Sequence, residues 1–261
     1  MVPCAAMPLI NLENKVAIVS GASRGIGEAI AIAFAEAGAR VAVSSRKLDG
    51  VQAVAKKIQD LGGEAIALAA HVGQIDQCHG LVKSVVERFG KVDVLVNNAA
   101  TNPYFGPMMN VEWGAWDKTF EVNVKGYFAA TRAVVKHLYS RKAPGSIVNV
   151  ASVVGLMGSP LQGVYGMTKA AVISMTKTLA MELGSAGVRV NAIAPGLVDT
   201  RFASALTAND EVRKQVEQRT ALGRIATPDE ISGAALYLAS DAASYVTGAV
   251  LTVDAGWTVG I

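Results

Sequence analysis

Lys15-Val-Ala-Ile-Val-Ser-Gly-Ala-Ser-Arg-Gly-Ile-Gly27 (KVAIVSGASRGIG) joins a β-branched apolar run to a segment of helical period through a turn holding three glycines. The run 15–20 has the composition of a buried strand, and residues 27–37 carry apolar side chains at helical spacing. Glycines at 21, 25 and 27 permit a tight turn and a close approach of helix to strand. Strand, glycine turn and helix in that order open a βαβ unit.

The alternation continues outward along the chain. Runs at 40–45 (RVAVSS), 64–70 (EAIALAA), 92–97 (VDVLVN), 145–152 (GSIVNVAS), 188–194 (VRVNAIA) and 249–254 (AVLTVD) are separated by amphipathic stretches at 51–61, 76–89, 115–140, 164–184 and 228–239. This spacing predicts an α/β protein: a single-domain, Rossmann-type, doubly wound parallel sheet with helices on both faces. The runs are nearly all apolar, as strands covered on both sides must be. There is no low-complexity linker and no internal repeat, so residues 1–11 are expected to be an N-terminal extension and 12–261 one domain.

Composition narrows the function. Hydrophobic residues make up 51% of the 261, charged residues 17%, and the net charge of +3 is spread rather than gathered. Nucleic acid and anionic membrane are therefore not expected partners. No apolar run approaches the ~20 residues of a membrane span, and Met1 to Ile10 has no basic region ahead of its apolar residues. The expected location is the cytoplasm. Cys4 and Cys78 lack metal-ligand spacing, the histidines are His71, His79 and His137, and Asp76 with His79 on one helix face supplies only two ligands. No metal is expected.

In a doubly wound sheet the ligand lies outside the carboxyl ends of the strands. There the turn residues Gly21, Ser23, Arg24, Gly25, Ile26 and Gly27 would present backbone N–H groups to a pyrophosphate at the start of a helix. The spacing is G-x3-G-x-G rather than G-x-G-x-x-G, and a plain structural turn is the alternative. The second run ends in Ser44-Ser45-Arg46-Lys47, with no acid before Asp49 to accept from ribose hydroxyls. A guanidinium pairs instead with a 2′-phosphate, so NADP(H) is the expected cofactor, held by Ser45, Arg46 and Lys47 with Arg24 as a further cation. Ordinary solvated loop charges are the alternative.

Tyr165-Gly-Met-Thr-Lys169 sets a phenol and an ammonium on one face of an apolar helix. A nearby cation favours the phenolate and moves a pKa near ~10 toward a value useful for proton transfer. Alone, the pair reads more readily as an interfacial tyrosine with a snorkelling lysine. Ser152 at the end of the 145–152 run would face the same cleft, and Asn123 places an amide among apolar residues where it needs a partner.

With Ser20 to Gly27, Asn97-Asn-Ala-Ala100, Asn123, Ser152, Tyr165-Gly-Met-Thr-Lys169 and Pro195-Gly196 in this order, the chain resembles the classical short-chain dehydrogenases/reductases over about residues 12 to 257. The resemblance implies that Tyr165 is the general acid/base, Ser152 orients the carbonyl, and Lys169 lowers the Tyr165 pKa and binds the nicotinamide ribose. Asn123 would hold a water for proton relay. Asn98 and Ala99 would border the adenosine, Pro195, Gly196, Val198 and Thr200 the nicotinamide. His71-Val72 stands where Asp-Val is usual beside adenine; His71 either contacts the base or packs as a neutral ring. Ser20 replaces the usual Thr, and Ala100 the usual Gly, a strain if that position needs a positive φ.

Within the family the chain looks most like the NADPH-dependent carbonyl and retinal reductases of the peroxisomal type and their bacterial relatives, without a Ser-Lys-Leu-like end. Tyr104, Phe105, Val154, Leu156, Met157, Phe202 and Leu206 are expected to wall the substrate pocket, and 199–220 to form a lid. These apolar residues suit a hydrophobic or aryl ketone, or a dicarbonyl, reduced to the alcohol. A 3-oxoacyl-thioester reductase, a sugar or steroid alcohol dehydrogenase, and a non-catalytic NADP(H) sensor are the alternatives. The family likeness also implies a homotetramer.

Overall fold

The computed structural model describes residues 10–207 and 210–260; most of the expected N-terminal extension, Cys4, Asn209 and Ile261 lie outside them. Seven strands form one parallel sheet in the order β3-β2-β1-β4-β5-β6-β7. They are β1 (Val16–Ser20), β2 (Arg40–Ser45), β3 (Glu64–Ala69), β4 (Val94–Asn97), β5 (Gly145–Val150), β6 (Val188–Pro195) and β7 (Val250–Val253). The order reverses between β1 and β4, which opens a crevice at their carboxyl ends.

Alternation along β1 explains the two helical layers. Ala17 and Val19 pack with Ile30 and Phe34 of α1 (Gly25–Glu36), Ile58 of α2 (Leu48–Asp60), and Ile231 and Leu238 of α9 (Asp229–Ala239). Val16 and Ile18 face the other way, onto Leu81 and Val85 of α3 (Ile75–Phe89), Val134 and Leu138 of α5 (Gly126–Arg141), and Leu183 of α6 (Gly163–Leu183). Each central strand is thus buried on both faces. The edge strands depart from the expectation of full cover: β7 leaves Leu251 36% exposed.

Three expected elements differ in detail. The helix expected over 115–140 is divided into α4 (Trp113–Phe120), a π-helical turn (Glu121–Lys125) and α5. The wider turn contains Asn123, whose side chain bonds both backbone groups of Thr101. The strand in the run at 92–97 begins at Val94; Asp93, just before it, donates its N–H to the Val16 carbonyl, accepts from the Val16 N–H on its carboxylate, and pairs with Lys91 and Arg141. The run at 145–152 stops at Val150, which leaves Ser152 past the strand end, in the loop facing the crevice. The expected lid folds as a 3-10 turn (Arg201–Ala203), α7 (Ser204–Thr207) and α8 (Asp210–Arg219).

Candidate active site

A cleft of about 350 Å³ lies at the carboxyl ends of the strands. It is lined by Gly21 and residues 23–27, the end of β2, the loops after β3, β4 and β5, the first turns of α6, and residues 195–198 and 200–203 after β6.

The glycine turn is fastened to the loop after β4. Ser20 Oγ accepts from the N–H groups of Asn98 (3.0 Å) and Ala99 (3.2 Å), and Asn98 Nδ2 donates to the carbonyls of Ser20 and Gly21. The serine that stands in place of threonine therefore keeps the working hydroxyl. Gly21 has φ +66°, and a Cβ there would lie 2.6 Å from Ala99 Cα; at Gly27 it would lie 2.4 Å from Asn98 Nδ2. Only side-chain-free residues allow this approach. Ala100 is not among the residues with positive φ, so its methyl is unstrained.

The surface fits a dinucleotide phosphate. Arg24, the N-cap of α1, makes no side-chain cap, so the first N–H groups of the helix face the cleft uncapped. Arg24 and Arg46 both line the cleft, and among the described residues neither has a carboxylate partner. Lys47 departs from the expectation: it precedes α2, takes the Ser45 hydroxyl on its carbonyl at 2.7 Å, and does not line the cleft. His71 lines it as a packed ring. Its Nδ1 accepts from the Gly73 N–H, its Nε2 lies 3.1 Å from Lys118 Nζ, and burial followed by the Lys118 charge lowers its pKa, which keeps it neutral.

Ser152, Tyr165 and Lys169 converge on the same cleft. The loop after β5 packs directly on α6: a Cβ at Gly155 would lie 2.7 Å from the Lys169 carbonyl carbon, and one at Gly166 2.9 Å from the Val154 carbonyl oxygen. These two glycines let the loop that carries Ser152 approach the helix that carries Tyr165. Ser152 Oγ accepts a long bond from the Val154 N–H at 3.4 Å, and its own hydrogen is free for a ligand.

Lys169 differs from its expected posture. It is 1% exposed, and its Nζ donates to the Val150 carbonyl (2.7 Å) and the Tyr127 hydroxyl (3.4 Å), 5.1 Å from the Tyr127 ring centre and 5.5 Å from that of Tyr165. Burial lowers its pKa to about 7 and raises that of Tyr165. In this geometry desolvation, rather than the attraction of the ammonium, sets the charge state of the pair. Tyr127 was not anticipated. Its only sequence signal is a phenol four residues after Asn123 on an apolar helix, the spacing of Tyr165 and Lys169.

Asn123 is fully buried and does not line the cleft. Its Oδ1 accepts from the Thr101 N–H at 2.8 Å, and its Nδ2 donates to the Thr101 carbonyl and to Thr168 Oγ1. The side chain is thus committed to bracing the β4 loop against α6, next to Lys169.

Of the expected pocket walls, Phe105, Val154, Phe202 and Leu206 line the cleft. The Phe202 ring sits 5.9 Å from that of Tyr165. Tyr104, Leu156 and Met157 do not line it: Tyr104 donates its hydroxyl to the Pro107 carbonyl, and the other two are exposed. Asn102, Gln162, Arg201 and Trp257 line it unforeseen. Among the described residues no group of three His, Cys, Asp or Glu side chains gathers as a metal site, and no helix is long and apolar enough to cross a membrane.

Comparison with known proteins agrees with this geometry. A family model described as enoyl-(acyl carrier protein) reductase matches residues 21–258. The chain is 38% identical to human dehydrogenase/reductase SDR family member 4 over 245 residues, 94% of this chain and 88% of that one. It is equally 38% identical to the 3-oxoacyl-[acyl-carrier-protein] reductase FabG of Thermotoga maritima over 250 residues, 96% of this chain and all of that one. Among solved structures, a gluconate 5-dehydrogenase from Burkholderia cenocepacia in complex with NADP and tartrate superposes with a TM-score of 0.94 at 32% identity, covering 98% of this chain and 100% of that one. With a family model matching residues 21–258 and relatives 38% identical over 94% and 96% of its length, the chain belongs to the classical short-chain dehydrogenase/reductase family of oxidoreductases.

Proposed function

We propose that the protein is an NADPH-dependent reductase of ketones or dicarbonyls with a hydrophobic or aryl body. The observation that carries the reading is one cleft in which two unpaired guanidiniums, Arg24 and Arg46, share a lining with Ser152, Tyr165 and the apolar Phe105, Val154, Phe202 and Leu206. The cofactor is NADP(H): the glycine turn and the α1 N-terminus receive the pyrophosphate, and Arg46 with Arg24 receives the 2′-phosphate. Bound NADPH supplies the hydride that the carbonyl carbon accepts. Ser152 donates its hydroxyl hydrogen bond to the carbonyl oxygen and holds it beside Tyr165. Tyr165 then gives its proton to that oxygen as the C=O bond becomes C–OH, and the phenolate is reprotonated from solvent. The buried Tyr165 keeps its proton over the whole neutral range, as an acid for reduction must.

A second reading, reduction of a 3-oxoacyl thioester, is favoured by the Thermotoga relative, which the chain matches over that protein's entire length. NADPH and NADH consumption with an aryl ketone, an α-diketone, retinal, an acetoacetyl thioester and a 3-ketosteroid, with NADPH or NADH formation from NADP⁺ or NAD⁺ and gluconate, decides between them. Preference for the ketones with NADPH is expected; preference for the thioester moves the protein to acyl-chain metabolism, and silence with tight NADPH binding makes it a sensor. A cytoplasmic homotetramer belongs to the same proposal, supported by the exposed Leu251 of β7 and the exposed Tyr245 six residues before it, and a single-subunit mass in light scattering would exclude that assembly.

A further inference from the structure

The cleft contains a cation that the cofactor does not require. Arg24 and Arg46 stand at the phosphate end, where the glycine turn already offers N–H groups to the pyrophosphate. Arg201 lies elsewhere. It follows Thr200, whose methyl would lie 3.2 Å from a Cβ on Gly25, and precedes Phe202, whose ring faces Tyr165. The residue thus bridges the interval between the turn and the reacting tyrosine, and it lines the cleft with its charge unpaired by any carboxylate among the described residues.

Two amides line the same cleft. Gln162 precedes α6 and stands one helical turn before Tyr165, with a 3.5 Å side-chain contact to Ser159 Oγ, and Asn102 lies in the loop after β4. Phe105, Val154, Phe202 and Leu206 supply apolar surface around them. An apolar body meets these walls, but a neutral ketone makes no use of the exposed guanidinium or of the two half-buried amides. A carboxylate accepts from all three, and a guanidinium fork matches its geometry.

We infer that Arg201, with Gln162 and Asn102, is a specificity site for an anionic group on the substrate, so that the preferred substrates are oxo acids with an aryl or alkyl body. This rests on the carbonyl-reductase reading. Arg201 binds rather than catalyses, and its effect falls on KM for acidic substrates.

The test compares benzoylformate and benzoylpropionate, each with its methyl ester, in NADPH-dependent reduction by the wild-type chain and by Arg201→Met. At least one acid is expected to exceed its ester in kcat/KM by about 10- to 100-fold, the range of a charge-assisted pair. Arg201→Met is expected to bring that ratio to within about twofold of one, and Arg201→Lys to restore part of it. No acid preference in the wild type, or a preference that survives Arg201→Met, overturns the inference. A parallel loss for acid and ester with a raised KM for NADPH overturns it as well, because Arg201 then serves the cofactor. Titration calorimetry of each acid into the NADP⁺ complex separates the two proposals. Binding by the wild type but not by Arg201→Met, without turnover, sustains the anion site and removes the reductase reading; turnover of the esters with no acid preference does the reverse.

Discussion

At the floor of the cleft, Lys169 is 1% exposed and held by Val150 and Tyr127, and Gly155 admits the loop bearing Ser152 to contact distance of α6. At the rim, Phe202 is 52% exposed and stands with Arg201 on a 3-10 turn of three residues. The floor is made by sheet and long-helix packing that the whole core over-determines, whereas the rim is made by short pieces whose side chains few neighbours restrain. Chemistry common to many substrates resides where the fold is least free to vary, and selectivity where it is most free.

Four substitutions break or sharpen that contrast. Tyr165→Phe strikes the floor and is expected to lower the reduction rate by about 10³-fold while NADPH affinity changes little, because only the transferable proton is lost. Stopped-flow turnover alongside fluorescence titration of NADPH checks it, and retention of most activity removes Tyr165 as the acid. Arg46→Asp is expected to raise KM for NADPH by roughly 100-fold with a far smaller change for NADH, by lost pairing and added repulsion. An equal change with both cofactors would take Arg46 away from the 2′-phosphate.

Gly155→Ala tests the packing itself. The added methyl meets backbone rather than a pliable side chain, so loop and helix must separate. We expect kcat to fall about tenfold and Tm by roughly 5 °C. An unchanged kcat would mean that the approach of Ser152 to α6 is not required for rate. The last concerns Lys169→Met and pH. Unfolded Lys169 holds its proton up to 10.5, the folded residue only up to about 7. Between those values the unfolded state binds the extra proton, so the destabilisation present below pH 7 fades as pH rises toward 10.5. Wild-type stability in the cofactor-free protein should therefore gain up to about 1.4 kcal/mol per pH unit over that window relative to Lys169→Met, measured by urea unfolding. Parallel curves for the two proteins would show that Lys169 titrates normally.

The same contrast marks how far the sequence could be read. β1, its glycine turn and the Tyr165–Lys169 pair were legible because apolar alternation and helical spacing are local properties written over consecutive residues. The π turn was not, since one extra residue per turn leaves the apolar period nearly intact and only the folded backbone over Glu121–Lys125 shows it. Tyr104, Leu156 and Met157 were assigned to the pocket from composition, and loop composition carries no direction: Tyr104 turns its hydroxyl to Pro107 instead. Arg201, Gln162 and Trp257 come to the cleft from three separate stretches, and no spacing links them before the chain folds.

The buried lysine has a thermal signature as well. Burial holds the Lys169 pKa far below that of a solvated lysine, at about 7, so the amine gives up its proton readily in the cofactor-free molecule. An anionic dinucleotide entering the cleft raises the affinity of that amine for hydrogen ions, so occupancy draws them from the buffer. The apparent heat of NADPH binding should then differ between phosphate and Tris in proportion to the ionisation enthalpies of those buffers, and the difference should vanish with the amine in Lys169→Met. The cleft thereby reports its own filling as a proton count.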